Sequence, residues 1–189
     1  MKKKNLLMMA LSVCMVAVVA VGGTMAYLSD AVKPIKNTFK FGDITVAVKE
    51  DVPTSVKDES IVSDGKGGLT YTNVVPGQDL NKEPKVSVTT SVDAYVFVKV
   101  DVSNDTISLP SDAMAGWTQL TGEDGVYYQA VEGEDVAQDL GSLFTKVTVD
   151  SDLTGDESLA EITISVAAIQ QAGFSDAADA FDHVTFETA

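Results

Sequence analysis

Cysteine is almost missing from this 189-residue chain: the only one is Cys14, inside an apolar run near the start. Past that run no disulfide, cysteine zinc site or thiol nucleophile can be built. Arginine is absent, so all 13 basic residues are lysines, set against 28 acidic ones. The formal net charge of −15 makes nucleic-acid phosphates and anionic lipid poor partners. Histidine occurs once, as His183, which cannot supply the two imidazoles of a helical H-E-x-x-H zinc site. No G-x-S-x-G elbow is present for a serine nucleophile. His183 falls instead at the expected end of a short helix, where an imidazolium suits the dipole. Catalysis is therefore not expected, and no cofactor is required.

What the chain does have begins at residue 2. Lys2, Lys3 and Lys4 precede an uncharged apolar run from Leu6 to Val21, followed by Gly22-Gly23-Thr24-Met25-Ala26-Tyr27. A basic start, an apolar middle and a small-residue exit form a secretory signal peptide over residues 1–26. Thr24 and Ala26 fit the two small pockets of a signal peptidase, which places cleavage between Ala26 and Tyr27. An uncleaved anchor needs about 20 apolar residues, more than this run offers. A lipoprotein reading would use Cys14, but bulky Val13 precedes it and the apolar run continues beyond it. Removing residues 1–26 takes three lysines and no acids, so the formal charge moves from −15 to −18. The expectation is a secreted protein, extracellular or at the cell surface, without stable membrane insertion after processing.

The rest reads as strands, through Val and Thr in period-two alternation. The segments 38–49, 86–90, 94–102, 125–131, 143–149 and 160–169 are expected strands, the second segment of the 86–102 region being central. Gly42 marks a bulge or bend, Asp51–Gly68 a loop, Pro76-Gly77 a turn, and Asn104–Pro110 another turn region. Strands 143–149 and 160–169 are expected to pair across an acidic loop. Ser175–Phe181 reads as the one helix, with Ser175 as its N-cap. The fold class is all-β: a single antiparallel β-sandwich over 38–189 with one short C-terminal helix.

Several fragments, taken in order, resemble the TasA/camelysin family of exported Gram-positive surface proteins. They are the processing region 22–30, Asn37-Thr38-Phe39-Lys40-Phe41-Gly42 with Ile44 and Val46, and Val75-Pro76-Gly77-Gln78 with Lys82 and Pro84. Trp117, Tyr127-Tyr128, Leu143–Val147 and Ala168–Phe174 follow. The resemblance implies a jelly-roll-like sandwich and processing by a SipW-type signal peptidase at Thr24, Met25, Ala26 and Tyr27. It also implies self-assembly into homo-oligomers or biofilm matrix fibres. In that scheme the segment 27–37, with Tyr27, Leu28, Val32, Pro34, Ile35 and Asn37, acts as a donor strand completing the next subunit's sheet. Pro34 suits an extended strand added at an edge. The family also includes a camelysin-type metalloendopeptidase assignment, which is the alternative function.

Two further sets of residues carry chemistry of their own. The loop from Asp150 to Glu161 places Asp150, Asp152, Thr154, Asp156 and Glu161 at calcium-loop spacings, with Gly155 at position six. Its departures are Thr154 at position five and Glu157 at position eight, and its flanks read as strands. A calcium-stabilised adhesin is the corresponding alternative, and a solvated β-connection the plainer one. Trp117, Tyr127 and Tyr128 could form a sugar-stacking face, although strand aromatics are mostly core.

Overall fold

The alternation that predicts strands also sorts their side chains into two layers. The structure, a computed structural model, describes residues 42–50, 61–63, 68–155 and 157–186, all within one unit spanning 41–189. The expected processing site, the donor segment and Asp156 lie outside these residues. Twelve strands are described: β1 (Ile44–Glu50), β2 (Ile61–Ser63), β3 (Leu69–Tyr71), β4 (Asp79–Asn81), β5 (Pro84–Thr90) and β6 (Ala94–Val102) come first. Then follow β7 (Ile107–Ser108), β8 (Thr118–Gln119), β9 (Val126–Val131), β10 (Ala137–Ser142), β11 (Lys146–Val149) and β12 (Ile162–Gln170). One helix, α1 (Ala177–Phe181), closes the series.

One layer has the order β12-β6-β9-β8, antiparallel throughout. The other contains β1-β5-β10 and β4-β11-β7. These two short sheets are joined along one bent ribbon. Ala137 faces Thr89 and Asp139 faces Ser87, and after a one-residue slip Ser142 faces Lys85. The new register then persists through Lys146–Asn81 and Thr148–Asp79. The slip is a β-bulge at Gly141, whose φ of 86° is natural only to glycine. Val86 and Val88 of one layer meet Ala94, Val96, Val98 and Val100 of the other, with Leu80, Leu143, Val147 and Val149 completing the core.

β6 is central, as its apolar run predicts, and it is covered on both faces over its first half, from Ala94 to Val98. Its even residues enter the sandwich core, while Tyr95 and Phe97 turn to a second cluster. There Phe97 lies 5.3 Å from Phe181 of α1. The helix begins one residue later than expected: Asp176, not Ser175, is the N-cap, accepting from the Asp179 N–H. Asp179 answers by accepting from the Ser175 N–H, a reciprocal cap that fixes the start.

Other expectations are corrected. The first strand is described over Ile44–Glu50, one residue past the expected end, and the expected part at 38–41 lies outside the described residues. Ile61–Ser63, inside the expected loop, pairs with β3. β7 occupies part of the expected turn at 104–110, and β10 was not anticipated. β11 and β12 do not pair with each other: β11 joins β4 and β7, and β12 joins β6. The reason is facial. β12 carries apolar residues of both parities, matching two-faced β6, whereas β11 buries only Val147 and Val149.

Candidate functional site: an open edge with a buried ion pair

β1 and β12 lie one above the other at the same side of the sandwich. Among the described residues, each is paired along one edge only, β1 to β5 and β12 to β6. Inward side chains at this margin are incompletely covered: Val48 is 36% exposed, and Ile162, Ile164 and Val166 are half-buried. Between the strands a cleft of about 600 Å³ opens, walled by Val48, Leu69, Val74, Leu159, Ile162 and Ile164.

Its polar centre is made by Glu50, Lys82 and Tyr71. The inward positions along β4–β5 are Leu80, Lys82, Pro84, Val86, Val88 and Thr90, so Lys82 occupies a core position. On β1, Glu50 faces Pro84, which points its side chain to the same interior. The Lys82 Nζ donates to Glu50 Oε2 at 2.5 Å, and the side chains are 11% and 5% exposed. Glu50 Oε1 is enclosed and, among the described residues, has no hydrogen-bond partner. Tyr71 sits beside it, but its single hydroxyl proton goes to the Asn81 carbonyl at 2.7 Å. Burial first, and then the Glu50 carboxylate, push the Tyr71 phenol well above its ordinary pKa. The centre thus holds a neutral pair whose second carboxylate oxygen is buried beside Tyr71 without a donor among the described residues.

Sequence reasoning passed over Glu50 and Tyr71, and took Lys82 only as part of a turn. The available signal was parity. A lysine two residues after Leu80 and two before Pro84, in a chain alternating buried and exposed, stands at an inward position.

The proposed calcium residues are placed differently. Asp150 Oδ1 accepts from the Asp152 N–H at 2.9 Å. The Thr154 hydroxyl donates to Glu157 Oε1 at 2.9 Å, and the Gly155 N–H to Glu157 Oε2 at 3.0 Å. These donors hold Glu157 below its ordinary pKa, so the unexpected residue of the loop organises it. The Glu161 backbone exchanges bonds with Ser103 at the mouth of β12. Among the described residues no three Asp, Glu, His or Cys side chains converge as a metal site. The His183 ring lies 5.3 Å from Phe174. Trp117 and Tyr127 belong to the sandwich core and Tyr128 to the cluster under α1, so they share no sugar-stacking face.

No family model, curated protein or solved structure matches this chain.

Proposed function

We propose that this chain is a secreted, non-catalytic structural subunit of an extracellular matrix or surface fibre. Subunits join when residues 27–37 of one copy add as a strand to the open margin of the next. The reading is of the TasA/camelysin kind, exported through the leader at 1–26 and released by a SipW-type peptidase. The observation that carries it is the juxtaposition of two edges, β1 and β12, each hydrogen-bonded along one side only among the described residues, at a half-covered apolar cleft. Such an edge offers N–H and C=O groups to an extended peptide, and the cleft offers pockets to its alternate side chains.

Negative-stain electron microscopy tests it, comparing the chain exported by a Gram-positive host with one whose mature part begins at Thr38. Fibres from the first and none from the second are expected. Particles that stay monomeric in both would remove the proposal. The peptidase alternative predicts casein cleavage that a chelator abolishes; the structural reading predicts none.

A further inference from the structure

The unpartnered, buried oxygen of Glu50 says which side chain the cleft accepts. We infer that the Glu50–Lys82 pair recognises a primary carboxamide on a strand docked along β1, and that Asn37 of a second copy supplies it. The inference rests on the strand-addition reading above and adds its chemical specificity.

Three groups meet at the site. Glu50 Oε1 needs a donor, and Lys82 Nζ spends one of its three N–H bonds on Glu50 Oε2. A ligand offering a donor and an acceptor side by side satisfies both. Lysine is a poor candidate, because the pair is already neutral and a further buried charge would go uncompensated. An added carboxylate fails for the same reason and would also face Glu50. A carboxamide brings an N–H for Glu50 Oε1 and a carbonyl for Lys82 Nζ, with no net charge.

Geometry then sets a sequence pattern. On a strand paired with β1, the residue opposite Glu50 turns its side chain to the same face, with Cβ atoms about 5 Å apart. Two residues along, the next inward side chain meets Val48, which is incompletely covered. The docked strand therefore needs a carboxamide with an apolar residue two positions away. In residues 27–41 Asn37 is the one carboxamide, and Ile35 and Phe39 flank it at that spacing. The pattern is met whichever way the strand runs.

Chain length makes the partner a second copy. In a hairpin placing Asn37 opposite Glu50, residues 43 and 44 would face each other with none left to turn. A parallel arrangement needs a crossover of about a dozen residues or more, and only 38–43 lie between Asn37 and β1.

The test titrates the exported chain, kept dilute and monomeric, into a fluorescent peptide of residues 31–41 and follows anisotropy. A peptide with Asn37→Asp is expected to bind at least tenfold more weakly, and to recover on a Glu50→Gln chain. That swap returns one carboxylate and one amide around Lys82. Equal binding of both peptides to the unaltered chain, or binding of neither, overturns the inference. The Asn37→Asp comparison is read on the unaltered chain, so misfolding cannot mimic that loss, and the Glu50→Gln chain is used only with a urea midpoint that shows it folded. Fibres in the microscope without peptide discrimination would sink the carboxamide role alone. Discrimination without fibres would sink the matrix reading and keep the recognition.

Discussion

At the scale of single residues, the Glu50–Lys82 pair is a charged insertion in an aliphatic core. Lys82→Met leaves Glu50 enclosed without its cation, and should cost about 3–5 kcal/mol in urea unfolding. Pairing it with Glu50→Leu removes both charges and should return stability to within about 1–2 kcal/mol of the natural chain. A double variant as unstable as the single one would show that the site depends on the pair itself. Surface carboxylates behave differently. Lys146 and Thr148 donate to Asp79, and Ser142 and Lys85 to Glu83, lowering both pKa values. A carboxyl that ionises more readily when folded binds fewer protons there, so its stabilisation is present above its ordinary range and fades as pH falls. The melting temperature should hold from pH 7 to about 5 and drop below about 4, less steeply in Asp79→Asn. Both groups face solvent, so salt should shrink that difference. The site itself was hardly legible in the sequence. Charged residues normally mark an outward position, and only the parity of Lys82 between Leu80 and Pro84 told against that rule.

Among elements, strands with a clear period were legible and those made by their partners were not. The segments at β5 and β6 alternate or run apolar; β6 stands where expected and β5 starts two residues earlier, at Pro84. β10, with Gln138, Asp139 and Gly141, has little strand propensity and exists because β5 offers it an edge. Adjacency along the chain suggested that β11 and β12 form a hairpin, and matched faces sent each to another neighbour. Glycines separate the same two influences. At Gly125, with φ of 71°, an added Cβ would meet the Val100 carbonyl oxygen at 2.5 Å. At Gly141, also at positive φ, nothing lies within 4 Å. Gly141→Ala should therefore lose about 1–2 kcal/mol for conformation alone, and Gly125→Ala more, since the β9 turn must move off β6. Calorimetry that ranks them in reverse would contradict the close approach.

For the whole molecule, charge and the proposed assembly pull against each other. The chain's formal charge of −15 repels its copies, whereas the proposed strand addition at the β1 and β12 margin would bring them together. Light scattering should show assembly accelerating from about 10 mM to about 150 mM salt, as screening shortens to about 8 Å. Assembly that slows with salt would point to attraction between unlike charges at the contact. One further consequence follows from the core. Trp117 is the chain's sole tryptophan, 8% exposed, with its indole N–H enclosed beside the same cluster that holds Leu80 and Val147. Its fluorescence is thus a single-site optical gauge, with blue-shifted emission and weak acrylamide quenching while the two layers stay closed. Any agent that parts them will announce itself as a red shift, without a label ever being attached.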